Sequence, residues 1–431
     1  MTGGGRRPPP PDASRVTAAA AADRDLPASG LRGYLAFLRA HPRMLAFGVL
    51  LTLFSSFGQT FLIAIFVPRI IDAFGLGTAS FGALYAAATL CSALTLPFFG
   101  RLLDRVSLRT FTLAVGTGLA LSCWLLATAV HVWMLFVAIL GLRLTGQGLL
   151  SLTASTAMAR GIAEGRGKAL SLSQLGYPLG EGLLPLLVVL LMYAVDWRLS
   201  WAILGTVIAL LLLPAVASLL REPGAARPAS ESLGHVPRRV RLLADPAFVV
   251  LLPAMVFQPL VLTALFLYQV PLAEHQGWTL EFIAAAFIGF ALARMLASLA
   301  FGPMIDRVGA TRLLPVLHVP LLLGLGVLAL SSAPWVAWWY LVMAGVSTGF
   351  NGPMMTALWA EVYGLHALGE VKGTVATFGI FSTAVGPVLL GWLLQSDIGF
   401  DVVLPACAAW AAVSIAITLA VRPAFMRRAR R

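Results

Sequence analysis

Along this chain apolar residues neither alternate with polar ones, as on half-buried strands, nor mark one face of a surface helix; they fill windows of about 20 residues. Phe111 to Val130 and Leu183 to Val195 carry no charge and are rich in Leu, Ala and Val. A window of that length crosses the roughly 30 Å hydrocarbon core of a bilayer as a helix. In hydrocarbon every peptide group must be satisfied within the protein, so a spanning chain is helical or a closed barrel. The missing alternation excludes the barrel. Twelve spans are predicted, at 44–67, 80–99, 110–130, 132–157, 169–194, 199–220, 247–271, 282–302, 313–331, 335–360, 371–394 and 402–421.

The polar remainder divides these spans. Residues 221–246 form the longest internal polar stretch, with Pro223, Pro228, Pro237 and five arginines, and leave six spans on either side. The expected fold class is an all-α polytopic membrane protein, twelve transmembrane helices in two pseudo-symmetric six-helix bundles. The expected organisation is a disordered cytoplasmic tail at 1–43, an N-terminal bundle at 44–220, a cytoplasmic linker at 221–246, a C-terminal bundle at 247–422 and a basic cytoplasmic tail at 423–431. Residues 1–43 contain the run Pro8 to Pro11 and lack the apolar core and cleavage site of a signal peptide.

Composition agrees: 59% of residues are apolar and 11% charged, beyond what a water-soluble surface tolerates. The net charge of +12 raises nucleic acid as a partner, so the placement of the basic residues decides. With the N-terminus cytoplasmic, 26 of the 30 Lys and Arg lie in the tails and loops of that side. Two, Arg69 and Arg198, lie in opposite loops, and Arg143 and Arg294 fall inside spans. This positive-inside asymmetry places both termini in the cytoplasm of a multi-pass plasma (inner) membrane protein, and no nucleic-acid partner is needed to explain it. Cys91, Cys123 and Cys407 all fall in spans as packing residues, so no disulfide, metal or cofactor framework follows. No phosphate-binding Gly-Lys-Ser/Thr loop is present to use ATP.

The halves also resemble one another. Phe99-Gly100-Arg101-Leu102-Leu103-Asp104-Arg105-Val106 follows span two, and Phe301-Gly302-Pro303-Met304-Ile305-Asp306-Arg307-Val308 follows span eight, an offset of 202. Thr145-Gly146 corresponds to Thr348-Gly349, and Gly176 to Gly379, both at 203. Here the sequence resembles the major facilitator superfamily, whose loop between helices two and three carries Gly-x-Leu-Ala-Asp-Arg-x-Gly-Arg-Lys. The first copy keeps Gly100, Leu102, Asp104, Arg105 and Arg109, with Ser107 for the second Gly; the second keeps Gly302, Asp306, Arg307 and Gly309. The resemblance implies a charge cluster that latches the halves in one state, and rocker-switch motion of two bundles about a central site.

Ionisable residues at the bilayer centre cost roughly 2.5–3.5 kcal/mol each on insertion scales, so each is a functional candidate. Arg143, Glu181 and Arg294 sit near the middles of spans four, five and eight and leave a net positive charge there, which favours an anionic solute. Helical spacing puts Ser173, Tyr177, Gly180, Glu181 and Leu184 on one face. Glu181 is either a fixed partner of Arg143 or a proton-coupling carboxylate. Arg294 is either a bidentate anion site or a partner of a carboxylate such as Glu181 across the interface. Gln59, Gln258, Tyr268, Gln269 and Asn351 are further candidates for the solute site beside Arg143, Arg294 and Tyr177. Pro253 and Pro259 are expected to kink span seven, and His318 reads as a packing residue.

Span five reads Gly176-Tyr177-Pro178-Leu179-Gly180-Glu181-Gly182, without the Gly-Pro-x-x-Gly-Gly of drug–proton antiporters. Arg143-Leu144-Thr145-Gly146-Gln147-Gly148 is similar to helix four of the monocarboxylate and oxalate/formate porters, and the helix-eight arginine has a counterpart there, although Arg294 is farther from Asp306 than in that branch. The function expected is secondary active transport of a small organic solute, a carboxylate coupled to protons, by alternating access. It is no enzyme, and a monomer suffices. An exporter of a hydrophobic or cationic compound and a non-transporting receptor stay open as alternatives.

Overall fold

The computed structural model describes residues 37–103, 105–162, 165–220, 242–364 and 367–429, so Asp104 and nearly all of the expected N-terminal tail and central linker lie outside the described residues. Among the described residues there are twelve long helical segments. The N-terminal bundle holds α1 (Pro42–Phe74), α2 (Thr78–Leu103), α3 (Leu108–Thr128), α4 (Val132–Gly161), α5 (Gly167–Ala194) and α6 (Trp197–Leu219). The C-terminal bundle holds α7 (Pro246–Leu267, continued by Gln269–His275), α8 (Leu280–Val308), α9 (Ala310–Leu330), α10 (Trp335–Tyr363), α11 (Leu368–Gln395) and α12 (Phe400–Ala429). Among the described residues there is no strand. Eleven of these segments are long and apolar enough to cross a membrane. The twelfth, α10, is 29 residues long but carries three Trp, a Tyr, Thr348 and Asn351 in its first two-thirds, which lowers its hydropathy.

Local chemistry sets the helix ends. Ser107, Asp196, Asp245 and Thr279 accept from backbone N–H groups in the first turns of α3, α6, α7 and α8. Gly75, at φ +60, supplies the left-handed residue that closes α1. Two boundaries differ from expectation. Phe37, placed by the sequence reading in the tail, is buried in the core, because an aromatic side chain with apolar surface to cover joins the nearest bundle. The expected basic tail at 423–431 is helical through Ala429, and Arg428 makes a two-pronged ion pair with Asp245, its Nη2 2.8 Å from Oδ1. Tyr363 donates to the other Asp245 oxygen at 2.5 Å, tying together the ends of α7, α10 and α12. Partial burial pushes the Asp245 carboxyl up. The Arg428 and Tyr363 hydrogen bonds, with the Arg428 charge, outweigh it and hold the pKa below its ordinary value near 3.8.

Between bundles, α2 packs on α11, α5 on α8 and α1 on α7. At the end opposite the chain termini this interface is hydrogen-bonded. Tyr268 Oη donates to the Thr78 carbonyl at 2.8 Å, and Gln269 Nε2 to the Phe61 carbonyl at 2.9 Å. Thr78 Oγ1 donates to the Gly391 carbonyl at 2.9 Å, and Ala79 N–H to Gln395 Oε1 at 3.1 Å.

Candidate functional site

The centre of the molecule is shaped by two irregular helices. In α1 the sequence Ser55–Gly58 tightens into a 3-10 turn and Gln59 is extended, with ψ 152°, before the helix restarts at Thr60. Opposite it, Leu142–Leu150 of α4 winds as a wider π-helix, a form that concentrates at functional sites. The two breaks touch backbone to backbone. A Cβ on Gly58 would stand 2.9 Å from the Gly146 Cα, so both positions need glycine for α1 and α4 to meet.

The break in α1 decides the fate of Arg143. Its Nη1 donates to the Gly58 carbonyl, freed at the break, at 3.3 Å, and to Thr60 Oγ1 at 3.4 Å. The guanidinium lies 5.2 Å from the Tyr85 ring centroid, and Tyr85 in turn hydrogen-bonds Thr60 at 2.8 Å. Arg143 is buried, its Nε has no partner, and among the described residues it meets no carboxylate. A permanent Arg143–Glu181 pair, the first of the two expectations for Glu181, is therefore corrected. Ser56 packs on Gly180 of α5 while Gly58 packs on Gly146 of α4, so α1 stands between the two charges.

Glu181 instead pairs with Arg294 of α8, the across-interface alternative for that arginine. Both residues sit at mid-helix, and the pair joins the bundles. Tyr177, one turn before Glu181 on the same face, presents its ring to the guanidinium at 5.8 Å. Glu181 Oε2 is buried and has no hydrogen-bond partner. On the C-terminal side Gly349 of α10 packs directly on the Arg294 backbone, closing α8 and α10 behind the pair.

The remaining candidates scatter. Gln59 lies half-buried at the α1 break, and Gln258 donates to Thr348 at 3.4 Å inside the C-terminal bundle, where Asn351 is also found. Tyr268 and Gln269 do not stand free to line a solute site in this conformation; both are seam residues, because the kink that ends α7 at Tyr268 turns them onto the opposite bundle. Of the latch residues, Gly100 and Gly302 lie within α2 and α8. Arg105, Arg109, Asp306 and Arg307 are exposed. Sequence reasoning missed Thr60, Tyr85 and Ser56. Their only signal is polarity within apolar spans, shared with many Ser and Thr that hydrogen-bond their own helix.

Two six-helix bundles joined end to end on one side, with buried charges at mid-membrane, define a polytopic membrane carrier. Its sequence places it more narrowly: the profile of the Major Facilitator Superfamily matches residues 48–272 and 263–430, and the chain belongs to that family. No curated protein matches it by sequence. Among solved structures it is similar to a bacterial homologue of the human lysosomal transporter Spinster, in an inward-facing, unoccupied conformation. The TM-score is 0.68 at 14% identity, over 90% of this chain and 98% of that one. The inward-facing, occupied conformation of a bacterial Spinster homologue gives 0.65 at 16% identity over 93% and 96%. A mutant of the nucleoside transporter NupG gives 0.64 at 14% identity over 90% and 99%. Family and fold define a secondary transporter of small-molecule solutes.

Proposed function

We propose that the protein carries a small organic carboxylate across the plasma membrane together with protons, by alternating exposure of a central site. The observation that carries this reading is the charge balance at mid-membrane: of two buried or half-buried guanidiniums, Arg294 pairs with the one carboxylate, Glu181, and Arg143, across α1, has none. One positive charge is left over, and an anion is its natural complement in low dielectric.

The pair supplies a coupling rule. Arg294 holds either the Glu181 carboxylate or a solute carboxylate. A proton taken up on Glu181, whose Oε2 is unpartnered, frees the guanidinium for the solute. Proton and anion then travel together without net charge. Arg143, across α1, supplies the unbalanced positive charge, and Tyr177 and Gln59 border the site. The seam at the end opposite the termini closes one exit, and the positive-inside distribution makes that end the outer one, so the conformation is open inward. Arg105, Arg109, Asp306 and Arg307, all exposed, are then the latch residues at the inner end. The similarity of the Arg143–Gly148 segment to monocarboxylate and oxalate/formate porters supports a carboxylate in particular.

The test is uptake of labelled small carboxylates into proteoliposomes with and without an inward proton gradient. Gradient-stimulated uptake is expected, and Glu181→Gln is expected to keep exchange of solute for solute while losing accumulation. Accumulation by Glu181→Gln equal to wild type removes Glu181 from proton coupling. No uptake of any carboxylate overturns the substrate assignment.

A further inference from the structure

At the end of the molecule that carries the hydrogen-bonded seam, a cavity of about 430 Å³ opens between the two bundles. One wall comes from the last turns of α1 and α5, with Arg69, Asp72 and Tyr193. The other comes from the continuation of α7 and the link into α8, with Glu274 and Trp278. Between the charges the lining is apolar and includes Ile65 and Val270, both buried. Arg69, Asp72 and Glu274 are exposed, and among the described residues none of these three side chains makes an ion pair. Trp278 gives its indole N–H to the Ser332 carbonyl at 2.9 Å, so what it offers the cavity is carbon surface.

The internal repeat explains why two acids meet here. Asp72 and Glu274 are 202 residues apart, the offset that relates the halves, so each bundle contributes its own copy of one acidic position at the end of its first helix. Arg69 has Pro271 at that offset, so the guanidinium is present on one wall only. Two carboxylates and one guanidinium leave a single negative charge on the cavity. The backbone adds to it. Helices α1, α5 and the continuation of α7 end at Phe74, Ala194 and His275 and bring the negative ends of their dipoles to this face, while α8 alone begins here, at Leu280. Aromatic rings, here those of Tyr193 and Trp278, also favour a cation that lies over them. Among the described residues no cluster of three His, Cys, Asp or Glu could hold a metal ion, and a bare ion would leave the apolar lining unused. The complement is one positive charge on an apolar body.

We propose that this cavity is an outward-facing binding site for an organic cation, an ammonium group on an aromatic or aliphatic body, held between Asp72 and Glu274. The positive-inside distribution makes this end the outer one, so the ligand arrives from outside the membrane. The Tyr268–Thr78 and Gln269–Phe61 hydrogen bonds join the bundles that carry the two walls, so the complete site belongs to the seam-closed conformation. A ligand that binds one conformation only adds its binding free energy to that conformation. Occupancy of this groove therefore favours the closed seam, as an external regulator acting apart from the Glu181–Arg294 pair at mid-helix. The inference does not rest on the carboxylate reading of the central site.

The experiment is a binding titration of the purified full-length protein, read by saturation-transfer NMR near neutral pH. The probe is benzylamine, with benzyl alcohol and benzoate as neutral and anionic molecules of similar shape. Benzylamine is expected to bind at a concentration at least about tenfold below either comparator. Asp72→Asn and Glu274→Gln are each expected to weaken benzylamine by about threefold or more, and Arg69→Gln to tighten it, with benzyl alcohol unchanged throughout. All three side chains are exposed, so the variants are expected to fold as wild type does. Opposite responses to removing an acid and removing the arginine mark this groove, since partition into detergent or binding at Glu181 is moved by none of the three. Benzylamine bound no tighter than benzyl alcohol, or bound alike by wild type and all three variants, overturns the proposal.

Discussion

The seam between the bundles offers the most direct quantitative test of the alternating-access reading. Removing the Tyr268 hydroxyl and the Gln269 amide with Tyr268→Phe and Gln269→Leu deletes two hydrogen bonds, of 2.8 Å and 2.9 Å, between α7 and the opposite bundle. Both side chains are buried, Tyr268 fully and Gln269 to within 4%. A buried neutral hydrogen bond contributes about 0.5–1.5 kcal/mol net, so the pair contributes roughly 1–3 kcal/mol to the closed seam. Because these bonds exist only while the seam is shut, the loss falls on the balance between conformations rather than on the fold. The ratio of seam-closed to seam-open molecules is expected to drop by about 5- to 150-fold. Spin labels at Asp72 and Glu274, exposed on opposite bundles around one groove at this end, report the change as a new, longer distance population. The Thr78–Gly391 and Ala79–Gln395 bonds remain, so a partial rather than complete shift is expected. A distance distribution unchanged in the double variant refutes the assignment of these bonds as the closed gate.

Three further outcomes follow from the same geometry. Arg143→Met removes two long hydrogen bonds but also an uncompensated buried charge, so thermal stability is expected to change by no more than about 1–2 kcal/mol while anion uptake is lost; a collapse of stability with retained uptake makes Arg143 structural. Gly146→Leu forces a side chain into the backbone contact with Gly58 and is expected to cost at least about 1–3 kcal/mol in unfolding measurements, since backbone on both sides gives no relief. Asp245 has its carboxyl pKa lowered in the folded state, so its contribution is present above its ordinary value near 3.8 and is lost as pH falls through the lower folded value. Melting temperatures measured from pH 6 to pH 3 are expected to fall less steeply in Asp245→Asn than in wild type.

The spans, their number, their division into two sets of six and the family were all legible in the sequence, because each depends on local quantities: hydropathy over one helix length, the placement of arginines, a motif repeated at a fixed offset. The presence of Arg143, Glu181 and Arg294 as charges within spans was legible for the same reason, since charge in an apolar span stands out wherever the helix goes. Their pairing was not. Helical spacing correctly placed Tyr177 and Glu181 on one face, but which arginine that face meets depends on the broken turn at Ser55–Gly58 and the π-helix at Leu142–Leu150. Neither irregularity has a proline to announce it. Each exists because two glycine-lined backbones, 88 residues apart in sequence, pack against each other. His318 likewise reads as packing in the sequence, and only the neighbours brought by the fold show that both its nitrogens are buried without a hydrogen-bond partner. Burial in the membrane is determined residue by residue along the chain. The partner of a buried charge is determined by which helices meet, and that is settled only by the tertiary structure.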